Sequence, residues 1–237
     1  MKLEIIYEDD QLIAFNKPSG LLSIPDRFNA EIPNLYRMAQ ARYEHIIPVH
    51  RLDKDTSGII CFAKNEESHK YLSQLFESRT VEKYYTALVN GRMITPSGSI
   101  EMPITENMAK RGTMIVHKRG KAAHTDYETL KEWQGYTLLR IRIHTGRTHQ
   151  IRVHMQYIGH PVVADPIYSN GKGLYISSLK KNFKNADPLG EEKPILNRLA
   201  LHASELRFEG MDGKAILIEA PLPKDMNASV KQLDKWS

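Results

Sequence analysis

The sequence predicts an α+β protein built on a mixed, mainly antiparallel sheet with a few flanking helices and loops. Short runs of β-branched and aromatic residues, separated by turn residues, outnumber the segments with helical spacing. Only about three segments show helical periodicity, and neither an internal repeat nor a clear linker interrupts the chain. We therefore expect a single domain over residues 1–237.

The first ninety residues supply a strand pair, two helices and two further strands. Asn65 can cap the second helix, because its side chain can accept from a backbone amide and Glu66 and Glu67 then lie in the first turn. The predicted elements are strands at 3–7 and 12–15, a helix at 33–44, a buried strand at 59–63, a helix after Asn65 and a strand at 81–89.

The second half begins with loops or hairpins over 91–121, where glycine and proline recur. Strict alternation over 138–144 predicts a half-buried strand with a basic outer face. A helix with apolar residues at Ile151, Met155 and Ile158 follows the Thr145-Gly146-Arg147 turn. A last strand pair at 204–219 is expected to precede an extended, proline-containing tail.

Composition argues for a globular, cytoplasmic protein. No apolar run approaches the ~20 residues that cross a bilayer, and the early acidic residues exclude a secretory signal. Cys61 is the single cysteine, so it has no internal disulfide partner and is expected to be a buried thiol. Without a coiled coil or an obvious apolar strip, we expect a monomer.

Basic residues are concentrated in two places. The net charge of +5 is modest, but acidic residues are absent from 107–125 and from 133–164. Clusters of this kind suit a polyanion, since each neutralised phosphate releases counterions, although a solvated basic face would have the same composition. The candidate contacts are Lys118, Arg119 and Lys121 in one cluster and Arg140 and Arg142 in the other.

Residues 50–58 combine a carboxylate, Asp53, with a cation, Arg51, at a Thr-Ser-Gly turn before the apolar run 59–63. An acidic side chain fixed beside a buried strand is well placed for catalysis. The same residues can also form an ordinary Asx or Ser/Thr turn.

Five ordered motifs resemble the RluA family of RNA pseudouridine synthases. They are Asn16-Lys17-Pro18-Ser19-Gly20, His50-Arg51-Leu52-Asp53 with Thr56-Ser57-Gly58, Lys83-Tyr84-Tyr85-Thr86-Ala87, Thr145-Gly146-Arg147-Thr148-His149-Gln150 with His154, and Gly159-His160-Pro161 with Asp165. The resemblance spans about residues 7 to 222. Many relatives also carry an N-terminal RNA-binding domain of the S4 type, whereas we expect this chain to start directly with the catalytic region and to have no S4 domain.

The resemblance implies an enzyme that isomerises uridine in structured RNA without a cofactor or a metal. It assigns the chemistry to Asp53, as nucleophile or as base, with Arg147 as its salt-bridge partner. Arg51 would fill the gap left by the flipped base, and Tyr85 would form a pocket wall. Tyr84, on the opposite strand face, is expected in the core.

Several alternatives stay open at this point. The substrate can be tRNA or rRNA, and RNA selection is expected to rest on the 107–121 segment and the Arg140/Arg142 strand face. A catalytically inactive RNA-binding protein of the same fold is the main alternative, and a hydrolase using Asp53 and Asp165 is another. The histidines at 144, 149, 154 and 160 are spaced by five and six, which favours no metal site.

Overall fold

The computed structural model describes residues 3–29, 31–180, 183 and 191–237, and it has the predicted mixed, mainly antiparallel α+β architecture. The chain divides into two units, Met1–Tyr85 with His202–Pro221, and Thr86–Leu201 with Leu222–Ser237. The single domain over 1–237 stays a prediction. None of the helices among the described residues is long and apolar enough to cross a membrane.

Twelve strands and four α-helices are formed by the described residues. In chain order they are β1 (Ile5–Glu8), β2 (Leu12–Lys17), α1 (Leu35–Gln40), β3 (Ile47–Pro48), β4 (Ser57–Ala63), α2 (Glu66–Glu77), β5 (Glu82–Asn90), β6 (Ser97–Ile100), β7 (Ile104–Glu106), β8 (Met114–Val116), β9 (Thr125–Trp133), β10 (Tyr136–Ile143), α3 (Gln150–Tyr157), β11 (Leu201–Glu209), β12 (Ala215–Glu219) and α4 (Lys224–Trp236).

The first unit is organised around β4, in a strand order of β1-β2-β4-β11-β5. All seven residues of β4 are buried, because alternate side chains enter two different apolar clusters. Ile59 and Cys61 pack on one face with Leu72 of α2, and Ile60 and Phe62 pack on the other. Burial raises the pKa of the Cys61 thiol to about 12, so the predicted buried thiol is confirmed.

Gly58 explains why the Thr-Ser-Gly turn ends in glycine. β4 and β11 pair in parallel, with Gly58 opposite Ala203. A Cβ on Gly58 would lie 2.1 Å from the Ala203 carbonyl oxygen, and the residue has φ +116°. Only glycine combines that backbone conformation with so close an approach.

Helix α2 begins where the sequence predicts. The Asn65 side chain accepts from the Ser68 amide at 2.8 Å, and the Ser68 hydroxyl accepts from the Asn65 amide at 3.4 Å, which forms a capping box. Helix α1 is shorter than the predicted 33–44 segment and ends at Gln40.

The second unit contains the antiparallel strands β10, β9 and β6 in that order, and the small β7–β8 hairpin. The predicted alternation of β10 is confirmed: Leu139, Ile141 and Ile143 are buried, whereas Arg140 and Arg142 are half-buried on the other face.

The extended tail was a wrong prediction. Helix α4 follows Pro223, which occupies its N-cap, and buries Met226, Ser229 and Leu233 along one side. The Trp133 indole donates to Asp234 at 3.0 Å. Met226, Val230 and Leu233 recur at spacings of four and three residues, so this segment has a helical periodicity that the prediction of an extended tail overlooked.

Candidate active site

Asp53 lies on a tight turn that leads directly into the buried strand β4. The Thr56 amide donates to the Asp53 carbonyl at 3.2 Å, which closes the turn. Leu52 is buried, Asp53 is half-buried and Arg51 is exposed. The turn is therefore anchored on both sides while the carboxylate keeps access to solvent.

A fully buried lysine, Lys17, holds this turn from the opposite loop. Its ammonium donates to the carbonyls of Pro18 at 3.1 Å, Leu21 at 2.8 Å and Lys54 at 3.0 Å. Lys54 follows Asp53 directly, so the lysine fixes the backbone next to the candidate catalytic residue. The sequence identifies the segment around Lys17 as one of the family motifs, but only the three-dimensional structure shows that Lys17 contacts the turn of Asp53.

Two serines in the loop that follows Lys17 also hydrogen-bond to the backbone around Asp53. Ser19 donates to the Asp55 carbonyl at 2.6 Å. Ser23 donates to the Leu52 carbonyl at 2.8 Å and accepts from the Leu52 amide at 3.0 Å. Backbone groups on both sides of Asp53 are thus satisfied by side chains, which makes the turn rigid.

Tyr85 is electrostatically coupled to Asp53. Burial raises the pKa of Tyr85, and the nearby negative charge of Asp53 raises it further. The phenol consequently stays neutral and protonated at physiological pH. Tyr84 is not the core residue that was expected: it is half-buried, its hydroxyl donates to Glu82 at 3.1 Å, and the guanidinium of Arg207 lies 5.6 Å from its ring centroid.

His50 has a structural role that sequence reasoning missed. Its Nε2 accepts from the Cys61 amide at 3.0 Å, and its ring stacks on Phe76 with centroids 4.6 Å apart. Burial lowers the pKa of His50 to about 3, with a further contribution from the charge of Lys83. A neutral imidazole therefore anchors the segment that leads to Arg51 and Asp53.

Arg147 belongs to the second unit, where Gln150 fixes the loop that carries it. The Gln150 side-chain oxygen accepts from the Arg147 amide at 3.0 Å and from the Thr145 hydroxyl at 2.7 Å. Arg147 Nε donates to the Ala122 carbonyl at 3.0 Å. The ion pair between Arg147 and Asp53 stays a prediction.

The basic residues of the two predicted clusters also belong to the second unit. Lys118 and Arg119 lie at the exposed turn that follows β8, and Lys121 is exposed just beyond it. On β10, Arg140 is opposite Glu128 and Arg142 is opposite Asp126 in the β9 register. Each of these two arginines thus has an acidic cross-strand neighbour, with which an RNA phosphate would have to compete.

Asp165 has the surroundings of a structural residue. It is fully buried and accepts four hydrogen bonds, two from the Arg152 guanidinium at 2.7 and 2.8 Å and two from the amides of Ile167 and Tyr168. Burial alone would raise the pKa of Asp165, but the hydrogen bonds and charge of Arg152 lower it overall. Such a carboxylate is poorly suited to activating water, which argues against the hydrolase alternative.

All four histidines noted in the sequence bond to neighbouring protein groups. His149 is 2.8 Å from the Tyr168 hydroxyl, His154 bridges Thr125 and the Met102 carbonyl, and His160 bonds to the Asn90 carbonyl. These contacts fit structural roles. His144 Nε2 lies 2.6 Å from a carboxylate oxygen of Asp126.

Comparison with known proteins identifies the family. A sequence model described as RNA pseudouridylate synthase matches residues 11–157. The chain belongs to this family. Among the relatives of this synthase, ribosomal large subunit pseudouridine synthase D of Haemophilus ducreyi is 35% identical over 98% of this chain and 70% of the relative. Dual-specificity RNA pseudouridine synthase RluA of Vibrio vulnificus is 37% identical, over 86% of this chain and 77% of the relative.

Solved structures agree with the family assignment of this synthase. Human RNA pseudouridylate synthase domain containing 1 superposes with a TM-score of 0.71 at 25% identity, over 93% of this chain and 83% of that chain. The second human structure, domain containing 4, has a TM-score of 0.72 at 23% identity and supports the fold, over 98% and 93% of the two chains. The resemblance to the RluA family is confirmed, and the chain is an RNA pseudouridine synthase, an isomerase of uridine in RNA.

Proposed function

We propose that this synthase converts specific uridines of structured tRNA or rRNA to pseudouridine by flipping the base and using Asp53 for the chemistry. The C1′–N1 glycosidic bond breaks, the uracil turns, and a C5–C1′ bond forms while the C5 hydrogen leaves as a proton and N1 takes up a proton. Asp53 acts either as the nucleophile at C1′ or as the base for the proton transfers. Neither a redox change nor an external group is needed, so no cofactor or metal enters the scheme.

The turn geometry carries the proposal. Lys17, Ser19 and Ser23 hydrogen-bond to the backbone of residues 52, 54 and 55, which holds Asp53 still before the substrate arrives. A preorganised carboxylate has less to reorganise in the transition state. The neutral Tyr85 beside it suits a pocket wall, because an uncharged aromatic ring can stack on uracil without repelling the RNA.

Two arginines complete the proposed mechanism. Arg51 is exposed two residues before Asp53, so its guanidinium can enter the space vacated by the flipped uridine and stack there. Arg147 would pair with Asp53 and keep the carboxylate ionised.

The names of the relatives favour large-subunit rRNA as the first substrate to test. Synthase D of Haemophilus ducreyi is named for the ribosomal large subunit, and the Vibrio vulnificus relative is named as dual-specific. Both relatives are named as synthases, so the comparisons lend no support to the inactive RNA-binding alternative.

Pseudouridine mapping tests the proposal. Total RNA from cells that lack the enzyme is incubated with wild-type protein or with Asp53→Asn. We expect one or a few sites in rRNA or tRNA that appear only with the wild type. Absence of any new site, with RNA binding intact, would refute the proposed catalysis and support the inactive alternative.

A second experiment tests the RNA-binding surface formed by Lys118, Arg119 and Lys121. Replacing all three with Ala should weaken binding and reduce the slope of log K against log salt by about 0.9 per lost phosphate contact.

A matched control removes the same charge from exposed lysines of α4, as Lys224→Ala, Lys231→Ala and Lys235→Ala. Equal losses in both triple variants would show a non-specific effect of net charge and contradict the assignment.

A further inference from the structure

His124, Asp126 and His144 form a compact cluster on the surface of the second unit. His124 Nε2 lies 2.9 Å from one carboxylate oxygen of Asp126, and His144 Nε2 lies 2.6 Å from the other. The two imidazoles are stacked, with centroids 4.1 Å apart and planes 18° apart. Both rings therefore direct the same nitrogen at a single carboxylate, and the three donor atoms lie within 4.8 Å of one another.

Strand register produces this convergence. Ile143 pairs with Thr125, and the His144 amide donates to the His124 carbonyl at 3.1 Å, so the two histidines are cross-strand neighbours at the ends of β10 and β9. Asp126 is two residues from His124 and shares its sheet face. His124 was absent from the histidines considered in the sequence, which explains why spacing alone predicted no metal.

A fourth oxygen donor is close at hand. The carboxylate of Glu101 lies 3.9 Å from His124 Nε2, and the Ser99 hydroxyl lies 2.9 Å from the same atom. Ser99 is paired opposite Asp126 on β6, so these groups approach the cluster from the third strand. The side chains of the four residues are between 32% and 75% exposed, which leaves an entry path for an ion.

We propose that His124, Asp126 and His144 bind a divalent transition-metal ion such as Zn²⁺, with Glu101 as the fourth protein ligand. Two imidazole nitrogens and a carboxylate form a donor set that suits Zn²⁺, Co²⁺ and Ni²⁺. Mg²⁺ and Ca²⁺ prefer all-oxygen sites and are excluded by the same chemistry. Nitrogen–metal distances of roughly 2.0–2.1 Å require the donor atoms of Asp126 and His144, which now lie 2.6 Å apart, to move apart when an ion enters between them.

The proposed metal site lies next to the start of the loop that carries Arg147. The His124 amide donates to the Thr145 hydroxyl at 3.0 Å, and the His124 carbonyl accepts from Gln150 at 2.9 Å. A bound ion would thus cross-link β9 and β10 where that loop begins and stabilise the second unit by mass action. The inference is independent of which RNA is modified.

Metal titration of the tag-free, full-length protein tests the site. Zn²⁺ binding is measured by calorimetry, and Co²⁺ is added separately because a tetrahedral nitrogen–oxygen site gives visible absorption bands. We expect one equivalent of either ion to bind, with a Zn²⁺-dependent rise in Tm. Asp126→Ala or His144→Ala should weaken the affinity by at least about tenfold, since loss of even outer-sphere partners has effects of that size.

His45→Ala is the matched control, because His45 is an exposed histidine of the first unit next to Glu44. It should leave Zn²⁺ affinity unchanged, whereas Glu101→Ala should weaken binding less than Asp126→Ala does. Circular dichroism of each variant establishes that it is folded. Zn²⁺ binding that is absent in the wild type, or equally strong in folded His144→Ala, would overturn the proposal.

Discussion

Replacing Lys17 with Met should destabilise the turn that carries Asp53 and reduce catalysis. Methionine keeps most of the aliphatic volume of the side chain but removes an ammonium that donates to the carbonyls of Pro18, Leu21 and Lys54. The Lys54 carbonyl still accepts from the Gly20 amide at 2.9 Å. The carbonyls of Pro18 and Leu21 lose the donor that satisfies them.

The expected loss comes mainly from the Leu21 carbonyl, because Leu21 is buried whereas Pro18 is exposed and water can replace the lost donor there. A buried acceptor left unsatisfied costs about 1–3 kcal/mol of unfolding free energy. The substitution also removes the desolvation cost of the fully buried Lys17 ammonium, which offsets part of this loss and favours the lower end. Because Lys54 adjoins Asp53, we also expect a fall in kcat of about 10²-fold from misplacement of the carboxylate.

Urea denaturation followed by circular dichroism, and single-turnover pseudouridine formation, measure the two effects of Lys17→Met. Lys70→Met is the matched control, because Lys70 is exposed on α2. If the free energy of unfolding of Lys17→Met lies within about 0.5 kcal/mol of that of Lys70→Met and its rate of pseudouridine formation is unchanged, the proposed role of Lys17 in holding the turn is refuted.

Three further substitutions test separate parts of the account. Gly58→Ala should lower the unfolding free energy by roughly 3–5 kcal/mol, because the new Cβ would lie 2.1 Å from the backbone of Ala203. Gly135 also has a positive φ, +83°, but a Cβ there would meet open space, so Gly135→Ala should cost clearly less. Equal losses in the two variants would contradict the argument from close approach. His50→Gln should flatten the pH dependence of stability. The pKa of His50 is about 3 in the folded protein and 6.5 in the unfolded chain, so the unfolded chain binds the extra proton as the pH falls. This group alone therefore lowers the free energy of unfolding of the wild type by about 1.4 kcal/mol per pH unit below pH 6.5. Urea denaturation of both proteins between pH 4 and 7 measures this dependence, and equal changes of unfolding free energy with pH would refute the reasoning. Gln150→Ala frees the Arg147 loop and should lower kcat by about 10–100-fold with little change in RNA affinity; an unchanged kcat would remove the loop from the mechanism.

The sequence correctly predicted those strands and helices that are buried either on one face only or on both faces. The run at 59–63 is apolar throughout because β4 is buried on both faces, and β10 alternates because only one of its faces is buried. Asn65 signals the start of α2 through a cap that involves only neighbouring residues. In each case the information lies within a few positions of the chain.

Features that depend on distant contacts were not predicted. Lys17 acts on Lys54, 37 residues away, and its burial cannot be inferred from a lysine in a polar loop. The pairing of His124 with His144 depends on the β9–β10 register, and β9 itself mixes charged and apolar residues too irregularly to be recognised. Helix α4 was missed for a different reason: Met226, Val230 and Leu233 recur at helical spacing, but the prolines just before them favoured the prediction of an extended tail.

Site residues were predicted by family resemblance rather than by physics alone. A carboxylate before a buried strand is compatible with an ordinary turn, and it was the order of five motifs that singled out Asp53. The structure adds the physical reason for that spacing, since the loop at 17–23 and the turn at 53–56 hold each other through side-chain hydrogen bonds.

Tritium release from RNA labelled at C5 of uridine measures the chemistry assigned to Asp53, because the label leaves only when the new C5–C1′ bond forms. Under single-turnover conditions Asp53→Asn should lose at least about 10²- to 10⁴-fold in rate, the range for removal of an acid–base group. Asp55→Asn, on the same turn and also half-buried, should retain activity near the wild-type level. Tritium release by Asp53→Asn at a rate close to that of Asp55→Asn would contradict the assignment of the chemistry to Asp53.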